Sequence, residues 1–341
     1  MKIRARRAIL GILALVVVAL VAAVAWAEWR FAAGKNEVEQ AWRSEQPAKL
    51  PDVGATRSLA ILPLVDWSGA TPDLQGEPGV SYLIKTDRST ILFDVGVNLK
   101  QRDPSPLLAN MQKFGVSLAD FDTVIISHNH MDHVGGLRRA RSDTFSLGNE
   151  QVDLRGKKIL TPVPMTYPGT SPTVAHAPAV VSPGVVTTGT IAGQMYIGRI
   201  DEQALAINVE GKGIVLVVGC GHQTLDKLLT RTAQLFGEPI YGLIGGLHYP
   251  VPRGRILTGG IDVQKVVVFG PFRGPTERDV AENVALLARR NPQWVSLSAH
   301  DSSDYALDQF RQKFGPRYHE LRVGEWQVLA GEPPVLGNAT H

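Results

Sequence analysis

Three histidines and one aspartate stand within six consecutive residues, at His128, His130, Asp132 and His133. They directly follow the apolar run 123–126, whose β-branched residues are typical of a buried strand. Neutral imidazole and carboxylate are ligands that zinc, iron and manganese take in proteins. Four such side chains at the end of a buried strand indicate a metal site more than a polar loop in which histidines happen to cluster.

The spacing divides these four ligands into two pairs. His128 and His130 are two residues apart, so in an extended backbone their side chains point the same way and can hold one metal. Asp132 and His133 follow after the chain turns and aim at a second position. Two divalent ions about 3.5–4 Å apart can hold a bridging hydroxide as nucleophile and bind the oxygen of the substrate's electrophilic group. The motif therefore predicts a two-metal site in which Asp132 also orients the hydroxide as a catalytic residue.

Three more histidines follow apolar, strand-like runs: His222, His248 and His300. The ends of neighbouring strands converge at one edge of a sheet, where α/β folds usually build their sites. We interpret His222 and His300 as further metal ligands. For His248 the sequence leaves three roles open, namely a ligand, a substrate contact and a structural histidine.

Two other side chains fall beside the predicted site. Cys220, the only cysteine in the chain, is either an additional ligand or a small buried apolar residue. Asp94 ends a predicted strand and either hydrogen-bonds the histidine loop from behind or caps a turn. A single cysteine also excludes an intramolecular disulfide and a four-cysteine zinc module.

The elements that must position these residues alternate between strands and helices. Short β-branched runs predict strands, and apolar residues at helical spacing predict helices. This order predicts a layered α/β domain with a sheet core covered by helices, and a long surface loop over residues 161–183. The predicted strands are 59–65, 80–86, 90–94, 123–127, 205–209, 214–218, 240–244 and 294–298, and the predicted helices are 106–114, 224–236, 278–290 and 304–314.

Residues 8–27 carry no charge, and 20 helical residues span roughly 30 Å, the thickness of a bilayer core. The basic cluster at residues 1–7 places the N-terminus in the cytoplasm and the body on the exported side, periplasmic or extracellular. The alternative is a signal cleaved after Ala25-Trp26-Ala27, which would release a secreted protein. We predict a linker at residues 28–57 and the folded domain at residues 58–335.

The charge of the domain argues against a nucleic-acid partner. Formal net charge is +3, but four basic residues precede position 8, and the remaining 31 of the 35 basic residues nearly balance 32 acidic ones. A nucleic-acid-binding domain would carry a basic stripe of its own. The predicted partners are therefore a small-molecule substrate and, through the N-terminal helix, a membrane.

The His-x-His-x-Asp-His run resembles the signature of the metallo-β-lactamase superfamily. The wider pattern resembles its subgroup named for dihydropterin ribofuranosyl-aminobenzene phosphate synthase. This resemblance implies a metallo-β-lactamase αβ/βα four-layer sandwich with the metals at one edge, and His222 and His300 as further ligands. The motifs that carry the resemblance are 79–84, 91–96, 128–136, 201–205, 219–222 and 245–248.

The chain departs from the subgroup in three places. Asp301-Ser302-Ser303 stands where the subgroup has Cys-Thr-Gly. Residues 249–276, rich in Pro, Gly and Arg, resemble an insertion close to the site. The superfamily's bridging aspartate on a later strand is not obvious, and Cys220 or Asp201 stands near its place.

Together these observations predict a membrane-anchored, exported hydrolase that uses a dinuclear metal-bound hydroxide. Its metals would be two divalent ions, zinc or else iron or manganese, and its substrate an ester, a phosphoester or an amide-like compound. The alternative is a non-hydrolytic synthase or sensor that binds a metal and a pterin-like or nucleotide-like ligand on the same fold. Arg253, Arg255 and Arg273 in the insertion either contact an anionic substrate or are solvated surface residues.

Overall fold

Two mixed β-sheets packed face to face form the centre of the molecule, for which a computed structural model describes residues 2–45 and 47–332. The first sheet has seven strands in the order β17-β1-β2-β3-β4-β5-β6, and the second has six in the order β16-β13-β12-β11-β8-β7. Two hairpins, β9–β10 and β14–β15, stand apart from them. The strands are β1 (Leu59–Val65), β2 (Ser81–Thr86), β3 (Thr90–Phe93), β4 (Thr123–Ile125), β5 (Lys158–Thr161), β6 (Thr173–Val174), β7 (Ala179–Ser182), β8 (Val185–Thr187), β9 (Ile191–Met195), β10 (Gly198–Glu202), β11 (Leu205–Val209), β12 (Gly213–Val218), β13 (Ile240–Gly245), β14 (Leu257–Thr258), β15 (Ile261–Asp262), β16 (Trp294–Leu297) and β17 (Gln327–Ala330).

Helices cover both outer faces of the sheet pair. Side chains of α2 pack on the outer face of the first sheet, and those of α4, α6 and α7 pack on the outer face of the second. The result is the αβ/βα four-layer sandwich that the sequence predicts. The helices are α1 (Lys2–Ser44), α2 (Pro106–Lys113), α3 (Leu137–Arg141), α4 (Leu225–Leu235), α5 (Val263–Phe269), α6 (Glu277–Ala288) and α7 (Asp304–Phe314), with 3-10 turns at Leu118–Asp120 and Gly315–Arg317.

Strand β12 shows how the sequence builds these layers. Successive side chains of a strand point to opposite faces of its sheet. Ile214, Leu216 and Val218 accordingly pack under the helices, while Val215 and Val217 pack between the two sheets. All six residues of β12 are buried, so an unbroken apolar run replaces the polar–apolar alternation of a half-exposed strand.

Strand direction brings the candidate ligands to one edge of the sandwich. In the first sheet β1 and β3 both pair antiparallel with β2, and β3 and β4 are parallel, so β1, β3 and β4 end on the same side. In the second sheet β12, β13 and β16 are parallel. The motif at 128–133 follows β4, while His222, His248 and His300 follow β12, β13 and β16 respectively.

The strands that line this edge were predicted to within about two residues, but β5, β8, β9, β10 and β17 were not predicted, and three further regions differ from the prediction. The predicted loop at 161–183 contains β6 and β7, which extend the sheets at their edges. The predicted insertion at 249–276 contains the β14–β15 hairpin and α5. Segments of two to four residues pair through their backbone at a sheet edge, so their composition carries little strand signal. Residues 333–335 of the predicted domain lie outside the described residues.

The prediction of a linker at 28–57 is wrong for its first part, because α1 continues without interruption to Ser44. Phe31 and Val38 are buried against the domain. Glu39 pairs with Lys227 at 2.6 Å, and Glu45 with Arg231 at 2.9 Å. Mixed polar and apolar residues at 28–45 thus form an amphipathic extension that packs on the sandwich. Among the described residues, α1 is the one helix long and apolar enough to cross a membrane, as either an anchor or a signal sequence must be.

Replacing Phe31 by Ala should loosen the docked part of α1. Phe31 is 5% exposed, and truncating a buried phenylalanine costs about 3 kcal/mol. That loss should speed hydrogen exchange of amides in residues 28–44 by ~100-fold, since every 1.4 kcal/mol is about tenfold. Trp29→Ala is the matched control, because Trp29 lies on the same helix and is 66% exposed. Equal exchange in both variants would mean that the segment does not dock.

Candidate metal centre

The structure brings the predicted ligands together in two adjacent groups. Within each group, all the donor atoms lie within 4.8 Å of one another. The first group contains His128, His130 and His222, and the second contains Asp132, His133, Cys220 and His300. The His128 ring lies 4.1 Å from the His133 ring and 5.1 Å from the His222 ring, centroid to centroid, so the two groups are contiguous.

Buried ring nitrogens without hydrogen-bond partners favour metal binding here. Over residues 2–45 and 47–332, nothing hydrogen-bonds to Nε2 of His128 or to either ring nitrogen of His222. A buried polar group left unpaired costs about 1–3 kcal/mol, which a bound cation would offset. Imidazole, carboxylate and thiolate are also the donors that zinc takes. The residues present therefore fit divalent metal ions.

Asp94 holds two of the ligand histidines from behind. Its Oδ2 accepts hydrogen bonds from Nδ1 of His133 at 2.7 Å and from Oγ of Ser127 at 2.7 Å. Ser127 Oγ in turn accepts from Nδ1 of His128 at 2.9 Å. With the proton on Nδ1 in both rings, Nε2 of both is free to face the centre. Asp94 thus lies where the sequence placed it, behind the histidine loop.

A second carboxylate, which the sequence analysis missed, holds His300 in the same way. Nδ1 of His300 donates to Oγ of Ser298 at 2.6 Å, and Ser298 Oγ donates to Asp66 Oδ2 at 2.7 Å. Asp66 is fully buried and also accepts from the Tyr82 hydroxyl at 3.0 Å. A signal was available, since Asp66 follows β1 as Asp94 follows β3, and a serine precedes each histidine near its strand end.

Cys220 lies between the two groups. Its Sγ is 3.1 Å from Nε2 of His133 and 3.1 Å from Nε2 of His300. It also forms a third donor cluster with His222 and His248. Its place is therefore the one where the sequence analysis looked for a bridging residue. Asp201, the other candidate, pairs with Arg199 at 2.7 Å on β10 and belongs to none of these clusters.

Glu202, also missed from sequence, fixes the loop that carries Cys220 and His222. Its carboxylate accepts backbone hydrogen bonds from Cys220 and Gly221 at 2.9 Å and from His222 at 2.8 Å. Burial raises the pKa of Glu202 to about 7, although these hydrogen bonds lower it. Gly219 allows the loop to approach so closely, because a Cβ there would collide with the Ser127 side chain.

His248 lies at the rim of the centre in a strained conformation. Its φ is 53°, a left-handed value that a residue other than glycine rarely adopts. Its backbone N–H donates to Asp301 Oδ2 at 2.9 Å, and its Nε2 donates to the Gln264 carbonyl at 3.2 Å. No hydrogen-bond partner of its buried Nδ1 occurs among the described residues, and the His248 ring lies 4.7 Å from the His222 ring. The departure at Asp301 therefore has a role, because its carboxylate holds the His248 backbone.

The electrostatics keep most of these histidines neutral. Burial lowers the pKa of His128 and of His222 well below the usual value, and the pKa values of His130 and His300 to about 4 and about 3. Burial lowers the pKa of His133 as well, but the charges of Cys220, Asp94 and Asp132 outweigh it and raise the net value. Neutral imidazole is the metal-binding form, so His128, His130, His222 and His300 are ready to bind a cation, whereas His133 must first give up a proton.

Two of the three arginines in the 249–276 segment bind protein groups. Arg255 pairs with Asp304 at 2.7 Å, and Arg273 pairs with Glu28 of α1 at 2.7 Å. Arg253 is exposed. Arg255 and Arg273 therefore already have carboxylate partners within the chain.

Comparison with known proteins agrees with this geometry. A model of the metallo-β-lactamase superfamily matches residues 74–144, which contain the whole 128–133 motif. This segment of the chain is therefore similar to the metallo-β-lactamase superfamily. A solved metal-dependent hydrolase of the β-lactamase superfamily is similar with a TM-score of 0.58 and 19% identity, over 80% of this chain and 100% of that chain.

Two curated proteins of Methanocaldococcus jannaschii are also similar to this chain. Over 246 residues it is 25% identical to the 7,8-dihydropterin-6-methyl-4-(β-D-ribofuranosyl)-aminobenzene-5'-phosphate synthase, a match that covers 58% of this chain and 80% of that protein. A shorter match is 48% identical over 54 residues and relates 16% of this chain to 11% of a probable RNase.

Replacing Ser298 by Ala should weaken metal binding at the second donor group of the candidate metal centre, the group that contains His300. The substitution removes the link between Asp66 and His300, and losing such an outer contact costs about 10- to 100-fold in metal affinity. Zinc affinity measured by chelator competition should fall by that factor. Ser296→Ala is the matched control, because this buried serine on the same strand bonds the His319 carbonyl and Gln327 instead. Equal losses in both variants would refute the role of Ser298.

The buried carboxyl of Asp66 should make stability fall as pH rises from about 4 to 6. Burial raises the pKa of Asp66 from 3.8 to about 6, although hydrogen bonds from Ser298, Trp67 and Tyr82 lower it. The folded state then binds the proton more tightly than the unfolded chain, so ionisation between these values disfavours the folded state. Relative to Asp66→Asn, the free energy of unfolding should drop by on the order of 3 kcal/mol from pH 4 to pH 7. Urea unfolding with chelator present measures this difference. A rise with pH would show that the hydrogen bonds to the carboxylate outweigh its burial.

Proposed function

We propose that this protein is a membrane-anchored, metal-dependent hydrolase with a dinuclear centre. The observation that carries the proposal is the pair of contiguous donor groups, with His128, His130 and His222 in one and Asp132, His133, Cys220 and His300 in the other. Nε2 of His128 and both ring nitrogens of His222 are buried, and no described residue hydrogen-bonds to them, as expected of metal ligands. The similarity to the 19% identical metal-dependent hydrolase supports the fold on which this proposal is built, and it gives no information about the substrate.

Two divalent ions at this centre would lower the pKa of water and polarise the carbonyl or phosphoryl oxygen of a substrate. The protein's own contribution is to fix the donors. Asp94 and Asp66, through Ser127 and Ser298, hold three histidines with Nε2 facing inward. Asp132 is 28% exposed at its side chain, so it can reach both an ion and a water molecule, which suits the catalytic role assigned to it.

Zinc is the metal we propose. Cys220 adds a soft thiolate to imidazole and carboxylate ligands, a combination that suits zinc and disfavours magnesium or calcium. Iron and manganese remain the alternatives that metal analysis would identify. The proposed substrate is a small ester, phosphoester or amide-like molecule, and the near-neutral domain offers no basis for a nucleic-acid partner.

The proposed location is the exported side of a membrane. The uncharged segment of α1 lies wholly outside the domain, and its four preceding basic residues favour a cytoplasmic N-terminus. Cleavage after Ala27 would still leave the docked part of α1 on the domain. The secreted form is therefore the alternative, and the size of the mature chain distinguishes the two.

A second candidate is a non-hydrolytic synthase on the same site. The curated relative that covers 58% of this chain is named as a synthase for a dihydropterin-containing phosphate compound. This candidate would show full metal occupancy and a defined pterin-like or nucleotide-like ligand. It would not turn over generic phosphodiester, carboxylic ester or lactone substrates.

The metal content of the full chain in detergent micelles tests the proposal first. Elemental analysis should find about two zinc equivalents in the wild type, and substantially less in His130→Ala because the first group loses one of its three ligands. His176→Ala is the control, since His176 is an exposed loop histidine outside the donor groups. No bound metal, and none after reconstitution, would overturn the dinuclear hydrolase.

The same preparation tests hydrolysis with bis(p-nitrophenyl) phosphate, p-nitrophenyl esters and lactones. Turnover of at least one class is expected, and Asp132→Asn should lower it by ~100-fold, since a group that positions or accepts a proton contributes at least that factor. Two bound ions without turnover of any class would contradict hydrolysis and favour the synthase candidate.

A further inference from the structure

A cavity of about 220 Å³ opens directly from the metal centre towards α1. His222 and His248 line one end of it. Apolar side chains line it from three elements, with Phe31 on α1, Met195 on β9 and Phe269 on α5, while Lys35 and Glu39 of α1 add charged groups. The helix that carries the predicted membrane segment is therefore also a wall of the candidate active site.

Contacts along its whole docked length fix α1 in this position. Arg273 pairs with Glu28 at 2.7 Å, and the Phe31 ring lies 5.8 Å from that of Tyr196. Further on, a Cβ at Gly34 would collide with the Gln194 side chain, and Glu39 pairs with Lys227. The domain therefore holds the docked part of α1 at both of its ends.

The docked part of α1 sets the distance from the cavity to the bilayer. The uncharged segment ends at Ala27, and the cavity-lining residues of α1 run from Phe31 to Glu39. At a rise of 1.5 Å per residue they lie roughly 6–18 Å beyond the end of that segment along the helix. Trp26 and Trp29, both more than half exposed, stand at the boundary, as tryptophans commonly do at membrane interfaces.

Two large apolar side chains are exposed at the same level. Ile197, at the tip of the β9–β10 hairpin, is 63% exposed, and Phe272 is 70% exposed. Each is the chain neighbour of a residue that contacts the first docked turn of α1, Tyr196 for Ile197 and Arg273 for Phe272. Exposed apolar residues beside a membrane segment gain free energy by entering the interfacial layer.

We propose that the active-site cavity opens at the bilayer surface and takes an amphiphilic lipid-like substrate from the membrane. The apolar tail would lie along the wall of Phe31, Met195 and Phe269, with the bond to be cleaved at the His222 and His248 end. Ile197 and Phe272 would rest in the interface beside the entrance. This inference rests on the proposed membrane anchoring and metal-dependent hydrolysis, and it names the substrate class of that same site.

The first measurement tests where the entrance lies. Ile197→Cys and Phe272→Cys, each carrying an NBD fluorophore, are reconstituted as full chains in phosphatidylcholine vesicles that contain a nitroxide lipid. Gln112→Cys is the control, since Gln112 is exposed on α2, which covers the other sheet. Quenching at positions 197 and 272 but not at 112 is expected. Equal and weak quenching at all three positions would overturn the bilayer contact.

The second measurement tests what the cavity holds, and it does not depend on catalysis. Full-length protein in vesicles with a diazirine-bearing phosphatidylcholine is irradiated, and the adducts are mapped by mass spectrometry. Adducts on β9 and α5 are expected, and Val268→Glu should lower them by tenfold or more because Val268 is a buried part of the cavity wall. Val266→Glu is the matched control on the same helix, since Val266 does not line the cavity.

Adducts confined to residues 8–27, with the cavity unlabelled, would overturn the substrate class. Metal content and turnover of small esters would then be intact, so the hydrolase proposal would survive. Labelling of the cavity in a protein that binds no metal would have the opposite meaning, because the lipid site would stand and the hydrolase would fall.

Discussion

The burial of imidazole nitrogens with no hydrogen-bond partner among the described residues is the constraint on which the rest of the site depends. Nε2 of His128 and both ring nitrogens of His222 are of this kind. His133 and His300 are also fully buried, each with its Nδ1 bonded from behind and its Nε2 3.1 Å from Cys220 Sγ. Such burial costs free energy in a metal-free chain, and only rigid surroundings maintain it. The two sheets supply that rigidity, because the ligands follow strands that are paired within the sheets and buried in the sandwich.

Much of this arrangement was predictable from the sequence. Buried strands such as β12 are continuous apolar runs, and β4 leads directly into a dense ligand motif, so both the strand and its chemistry have local signals. Asp66 and Glu202 act only through residues that are distant in sequence. The strand-end position that Asp66 shares with Asp94 was an available signal, but it does not show which distant histidine Asp66 supports, and no local pattern distinguishes Glu202. The docked part of α1 escaped for a related reason, since its amphipathic face has meaning only against β9 and α4.

Cys220 illustrates what a single position can change in a metal site. Its sulfur is within 3.1 Å of donors on both His133 and His300, and it also belongs to the cluster with His222 and His248. A thiolate is softer and larger than a carboxylate, and it offers one donor atom instead of two. Burial raises the pKa of this thiol, so a bound cation is what would favour its ionised form. Cys220 would therefore influence which metal ion binds as much as the histidines do.

The parts that hold metal and the parts that select a substrate belong to different layers of the molecule. The ligands come from strand ends of the two central sheets, whose positions follow from core packing. The cavity walls come from α1, the β9–β10 hairpin and α5, all of which lie outside those sheets. Because Gln264 on α5 donates to the His300 carbonyl at 2.6 Å and accepts from His248, the selecting layer is also tied to the metal layer. A motif in the sheet layer can therefore indicate water activation, while the substrate class must be read from the outer elements, and here one of those elements is α1, the helix with the long apolar segment.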